Sequence, residues 1–201
     1  LLLKHALSEQ ASSMAPHAAR IGHRVLAANG QLGQHPELQA RLVALGRAEG
    51  LPPSLKLQLQ LVLRRSELQQ GHTAQALAEL ERLNQTLPAH AKVDPKARGL
   101  LSLYRALALQ AQGDAAAALP LLQTAQALYG EALGAEHPMT QLVAVHQART
   151  LWALQRSSEG LALTAHALPV LRTAMGSDAP TLKAVEQLRA DALRDRHRPA
   201  E

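Results

Sequence analysis

The apolar and small residues of this chain recur with a fixed spacing. After Gly113, small or apolar side chains follow at offsets of five, nine and twelve residues, and the same offsets recur after Gly71 and Gln155, each 42 residues from Gly113. The positions so marked are Ala76, Leu80 and Leu83, then Ala118, Leu122 and Ala125, then Gly160, Thr164 and Ala167. Three frames with one period predict an internal repeat.

One segment carries conflicting signals. Over residues 54–69, leucine alternates with other residues from Leu55 to Leu63, and an alternation of period two is typical of a half-buried strand. Leu, Gln, Lys and Arg are strong helix formers, however, and β-branched residues are nearly absent. Because the segment also occupies the place of the first helix before Gly71, we predict a helix.

The remaining pattern predicts an all-α fold, an α-solenoid of antiparallel helix pairs with about nine helices. Residues 1–53 form a divergent lead-in hairpin with helices near 16–29 and 36–50, and residues 54–201 form the repeats and a capping helix. The predicted helices of this second part span 54–69, 73–87, 97–112, 114–129, 138–155, 157–174 and 179–195.

Several residues are predicted to fix the helix ends. Asp114 and Ser157 can cap second helices, Pro138 suits a first turn, and Gly130 with Gly134 should break the chain. The capping helix has Leu182, Val185 and Leu188 on its apolar side. Pro120 and Pro169 fall inside predicted helices, where they predict either a kink or, as we favour, a tolerated distortion at an exposed surface.

Composition narrows the class of protein. The formal net charge is +5 and there is no cysteine, so disulfides and thiolate metal sites are excluded. The basic residues are dispersed, which disfavours nucleic-acid binding but permits an acidic partner. No run approaches the ~18 apolar residues of a membrane span. We therefore expect a cytoplasmic protein, and the lack of an initiating methionine leads us to expect a piece of a longer chain.

The sequence contains none of the common motifs of enzyme chemistry. The ten histidines show no metal-binding pairs at helical spacing, and no carboxylates accompany them. There is no Gly-x-Ser-x-Gly elbow, no phosphate-binding glycine loop and no kinase signature. We expect a non-enzymatic protein without a metal or cofactor.

The motif Gly113, Ala118, Leu122 and Ala125, with Pro88 at the end of a second helix, resembles the tetratricopeptide repeat. The 42-residue period, with Leu133-Gly134-Ala135-Glu136-His137-Pro138 opening a repeat, is similar to the kinesin-light-chain type widespread in bacterial proteins. The likeness covers residues 54–195. It implies a protein-interaction module that binds a peptide or partner helix in a concave groove.

The chain departs from that type at its ligand-facing triplet. Where the type has Asn-Leu-Ala on the first helix of a repeat, this chain has Tyr104-Arg105-Ala106 and His146-Gln147-Ala148. In the first repeat Arg64 stands where a small residue is expected, so a shift of register there is left open.

The residues His35 to Leu42 resemble the lead-in to such arrays in proteobacterial Ser/Thr kinases and signalling regulators. An alternative function is therefore a regulatory or sensor segment, whose catalytic or DNA-binding domain lies outside this chain.

In the tetratricopeptide fold, the first helix of each repeat lines the concave face. The resemblance therefore implies that residues of the first helices form a candidate peptide-binding surface. Two arginines could hold a carboxylate and the aromatic residues could supply buried area. Alternatively, Leu107 and Trp152 pack between helices and the arginines are solvated. The candidate residues are Arg65, Tyr104, Leu107, Gln110, His146, Arg149 and Trp152.

Overall fold

A computed structural model of the chain describes residues 37, 40, 42–44, 53–87, 93–176 and 179–196. Over these ranges the protein is all-helical, as predicted, and the described residues among 37–44 are helical too. The predicted helix 16–29 lies outside the described residues. The helices are α1 (Pro53–Gln69), α2 (Thr73–Thr86), α3 (Pro95–Ala111), α4 (Ala115–Leu133), α5 (Pro138–Ala153), α6 (Ser157–Met175) and α7 (Pro180–Arg196).

The chain divides into two compact units, Leu1–Tyr104 and Arg105–Glu201, with the boundary inside α3. In the first unit α1 packs on α2. In the second, α5 packs on α4 and α6, and α7 covers α6. A cluster of buried apolar side chains from α5, α6 and α7, including Val145, Leu171 and Leu182, forms a core in this second unit.

The alternating leucines of α1 are explained by burial on two sides. A helix turns about 100° per residue, so residues two apart point in nearly opposite directions and residues four apart share a face. Leu57 and Leu61 therefore lie on one side of α1, while Leu59 and Leu63 lie on the other, and all four are buried. The pattern that imitates a strand belongs to a helix covered on both faces, and the helix prediction is confirmed.

The 42-residue period is visible in the backbone of the turns. Gly71, Gly113 and Gln155 have φ of 81°, 83° and 61°, and Gln155 is the non-glycine residue with positive φ in the described part of the chain. After each of them, the next residue donates its N–H to the carbonyl five residues earlier, at 2.8–2.9 Å. Every second helix then begins at the equivalent residue: Thr73, Ala115 or Ser157.

This common turn keeps the first repeat in register, although Arg64 stands where the other repeats have Ala106 and Ala148. Both alanines are fully buried, and Arg64 is itself buried, with 8% of its surface exposed. Its guanidinium lies 2.9 Å from Glu67 and 3.7 Å from Glu79. Local ion pairing therefore accommodates the large side chain, and the turn shows no shift of register.

Two predicted helix ends and one residue of the predicted apolar side of α7 need correction. Gly130 does not break the chain, because α4 continues to Leu133 and ends at Gly134, whose φ is 92°. Ser157 is the first residue of α6 rather than its cap; the cap is Arg156, which makes no side-chain capping bond. Leu188 of α7 is 39% exposed, whereas Leu182 and Val185 are buried as predicted.

Other predicted features are confirmed. The Asp114 carboxylate accepts the N–H of Ala117 at 2.9 Å and so caps α4, and Pro138 begins α5. Pro120 and Pro169 are exposed, and the helix continues past each of them. The hydroxyls of Thr124 and Thr173 donate to the carbonyls of the two prolines.

Candidate functional site

Two of the predicted surface residues lie in the first unit. Arg65 of α1 is exposed, and its guanidinium donates a hydrogen bond to the phenol oxygen of Tyr104 on α3. The Tyr104 ring is buried, and burial raises the pKa of its hydroxyl despite the opposing effect of Arg65. Arg65 is thus available to a partner, whereas Tyr104 contributes to the interior.

The structure brings together predicted residues of α3 and α5 in the second unit. The side-chain amide of Gln110 donates to the backbone carbonyl of His146 at 3.1 Å and to the hydroxyl of Thr150. That hydroxyl also donates to the His146 carbonyl, at 2.9 Å. Gln110 therefore fixes the end of α3 against the middle of α5. Leu107, one helical turn earlier on α3, is half-buried.

His146 and Arg149 carry the charge properties of this surface. Burial, together with the neighbouring positive charge of Arg149, lowers the pKa of His146 to about 4, so the imidazole is neutral near pH 7. Its Nδ1 is buried and has no hydrogen-bond partner in the described part of the chain. Arg149 is exposed and forms no ion pair with any described residue. Near pH 7, Arg149 therefore contributes a positive charge at this surface and His146 contributes none.

Trp152 packs between the helices of its own pair. A Cβ placed on Gly160 of α6 would lie 2.5 Å from the indole nitrogen and 2.8 Å from Cδ1 of Trp152. The indole is half-buried, and its N–H is buried without a partner among the described residues. The indole edge thus occupies the space that a side chain at Gly160 would need.

A groove that the sequence did not predict lies between α4, α5 and α6. Its cavity volume is about 510 Å³. Its apolar lining includes Leu119, Ala144, Leu151, Ala162 and Leu163. Its amide lining consists of Gln123, Gln126, Gln141 and Gln147. The groove is therefore an apolar cleft carrying four neutral groups that can both donate and accept hydrogen bonds.

Hydrogen bonds hold three of these four amides in place. Gln147, which is almost fully buried, donates to the side-chain oxygen of Gln126 at 2.8 Å. Gln141 donates to the carbonyl of Ala135, also at 2.8 Å, which fixes which end of its amide carries the nitrogen. The other end, Oε1, is buried without a partner among the described residues.

Hydrogen bonds join the charged and titratable side chains at the rim of the groove in pairs. Arg156 forms a two-point hydrogen-bonded pair with Glu159 at 2.7 and 2.8 Å. His166 lies 2.9 Å from the carboxylate of Glu136, which precedes α5. Arg156 is therefore compensated by Glu159, whereas Glu136 keeps its negative charge whenever the His166 imidazole is neutral.

One sequence signal pointed toward this groove. Gln147 is the middle residue of His146-Gln147-Ala148, where the kinesin-light-chain type has leucine. A polar residue at an expected core position needs a hydrogen-bonding partner, and Gln126 supplies it.

In the part of the chain that the structure describes, no group of three or more His, Asp or Glu side chains could hold a metal ion. Nor does any described helix have the length and apolar character needed to cross a membrane. Comparison with models of known protein families gave no match, and a search of curated proteins gave none either.

Proposed function

We propose that this chain is a non-enzymatic protein-interaction module, built as an α-solenoid of tetratricopeptide-like repeats. The support is the recurrence of one turn at Gly71, Gly113 and Gln155, with the second helix starting two residues later each time. A common turn joins the two helices within each pair in the same way, and in a solenoid such pairs stack and present side chains of their first helices on a common face.

The observation that carries the proposal is the contact from Gln110 to α5 beside the exposed Arg149. The contact fixes two first helices, so the surface is preorganised and a partner does not have to order it on binding. Arg149 has no ion pair with a described residue, and a guanidinium binds a carboxylate through two parallel hydrogen bonds. The partner is an acidic peptide or a C-terminal carboxylate.

The test is capture of partners by the protein, compared with its Arg149→Ala variant. Arg194→Ala is a matched control, because Arg194 is an exposed arginine whose ion pair with Asp191 spans three residues of one helix. We expect a partner that wild type and control retain and Arg149→Ala loses. A synthetic peptide from that partner should then bind with an affinity that falls as salt rises. Equal capture by all three proteins would contradict the proposal.

A further inference from the structure

The groove between α4, α5 and α6 lies on a different side of α5 from Arg149. At about 100° per residue, Ala144, Gln147 and Leu151 share one side of α5, and His146 and Arg149 lie on the opposite side. The groove is thus a second surface, independent of the one on which the proposed function rests.

The lining restricts the chemistry of an occupant. Arg156 is neutralised by Glu159, and any positive charge on a protonated His166 is compensated by Glu136, so these residues leave no free cation for a phosphate. No described group of side chains there could hold a metal ion. What remains is apolar surface and neutral amides. A side-chain amide presents one acceptor and two donors, which match the N–H and C=O of a peptide bond.

These amides favour an extended segment over a helix. The backbone groups of an α-helix are satisfied within the helix, except at its ends, and so cannot bond to a lining amide. An extended segment leaves its N–H and C=O groups available along its length. The cavity of about 510 Å³ lies in the usual range for ligand sites.

Two of the lining amides, those of Gln126 and Gln141, are already positioned for an occupant. Gln126 is already held by Gln147, so its free N–H groups are positioned before an occupant arrives. Gln141 Oε1, buried in the groove wall, lacks a donor among the described residues, and a buried acceptor without a bond is costly. A small shift of its amide toward an N–H of an occupant would satisfy it. We infer that this groove binds a short, uncharged peptide segment in extended conformation, through its backbone amides.

The inference can be tested with a defined probe, a library of N-acetylated, C-amidated octapeptides that lack charged residues. The protein is used for affinity selection and bound peptides are read by mass spectrometry. Ala162→Arg fills the groove from its exposed edge, and Ala165→Arg, an exposed alanine of α6 outside the groove lining, adds the same charge as the matched control. Circular dichroism verifies that both variants fold.

We expect wild type and Ala165→Arg to select the same peptides and Ala162→Arg to bind them at least tenfold more weakly. Methylation of single backbone nitrogens in a selected peptide should weaken binding tenfold at one or more positions. Gln126→Met should weaken it similarly, whereas Gln112→Met, at an exposed glutamine outside the groove, should not.

Three results would overturn the inference. One is that no selected peptide is lost by Ala162→Arg. Another is that every backbone-methylated peptide binds as tightly as its parent. The third is that sedimentation shows self-association which Ala162→Arg abolishes, so that a second copy of the chain fills the groove. Selected peptides lost only by Arg149→Ala would also contradict this inference. They contain no carboxylate, so the proposed function is tested separately by its own capture experiment, and the two failures are distinguishable.

Discussion

Replacing Gly160 with alanine tests whether Trp152 belongs to the packing of α5 against α6. The added methyl would approach the Trp152 ring to 2.5 Å and the carbonyl of Ala148 to 3.0 Å. The methyl fits only if the Trp152 ring is displaced, and the Ala148 carbonyl cannot move aside because it belongs to the backbone of α5. At the equivalent positions, Ala76 and Ala118, the other repeats carry the methyl, but they have Leu68 and Gln110 where this one has Trp152.

The size of the effect follows from two opposing contributions. Alanine in place of glycine inside a helix stabilises by about 1 kcal/mol. Overpacking a closely packed site costs about 1–3 kcal/mol. With a cost in the middle of that range, Gly160→Ala should lower the free energy of unfolding by about 1 kcal/mol, which for a chain of this size lowers Tm by about 2–4 °C.

Gly130→Ala is the matched control. Gly130 is also helical, but a Cβ there would meet no atom within 4 Å. Its replacement should therefore show the helix-propensity gain alone and raise Tm by about 2–4 °C. Thermal unfolding followed by circular dichroism measures both variants under the same conditions.

A double variant isolates the contact itself. Trp152→Leu combined with Gly160→Ala recreates the Leu68 and Ala76 pair of the first repeat. The two changes should compensate, with a favourable coupling of about 1 kcal/mol or more between them. If Gly160→Ala instead stabilises as much as Gly130→Ala, and no coupling is found, Trp152 does not pack on Gly160 and becomes available to the peptide-binding surface.

Three further predictions concern the turn and the buried ionisable groups. A residue with a side chain loses about 1–2 kcal/mol of stability when its backbone is left-handed, as at Gln155. Gln155→Gly should therefore raise the free energy of unfolding by about 1 kcal/mol, and Gly113→Gln should lower it by about the same amount. Urea titrations measure both changes. The pKa of His146 is about 4 in the folded protein and about 6.5 in the unfolded chain, so the neutral imidazole contributes to stability above pH 6.5 and this contribution is lost as pH falls to 4. Relative to His146→Gln, the free energy of unfolding of the wild type should therefore fall by up to about 3 kcal/mol across that pH range. Arg64→Ala leaves the Glu67 carboxylate buried without its nearest cation and should lower the free energy of unfolding by about 3 kcal/mol at pH 7. The loss should be smaller at lower pH, because burial raises the pKa of Glu67 and protonation removes the unpaired charge. An equal loss at pH 4 and pH 7 would contradict this account.

The sequence predicted the helices because their determinants are local. Asp114 has a carboxylate at the right distance from the first turn of α4, and Pro138 already has the φ of a first helical residue. The repeat frame then decided α1, where periodicity alone predicts a strand. Local signals and the frame together were sufficient for the class of fold.

The errors arise where a local signal competes with a neighbour. Gly130 can end a helix, but Gly134 also can, and it takes the positive φ of 92° with which α4 ends, a value that glycine adopts without strain. The helix absorbs the cost of about 1 kcal/mol at Gly130 and gains another turn. Nothing near Gly130 in the sequence could decide between the two glycines.

The glutamine-lined groove could be predicted only in part, because Gln147 at an expected core position indicates a buried hydrogen-bonding partner but does not identify it. Gln126 and Gln147 are 21 residues apart, and glutamine is a common, uninformative residue on helix surfaces. Only the packing of α4 on α5 shows that these two amides meet in a buried setting. Trp152 illustrates the same point, since its position relative to Gly160 depends on how α6 crosses α5.

Because α5 separates two surfaces of different chemistry, salt should separate their partners. Binding at Arg149 depends on an exposed cation, whose attraction to an acidic partner is screened beyond about 8 Å at physiological ionic strength. Binding in the groove depends on neutral amides and apolar contact, which such screening leaves unchanged. A rise in salt should thus weaken an acidic partner while an uncharged peptide stays bound, and since the two surfaces share no side chains, each should bind with the other occupied.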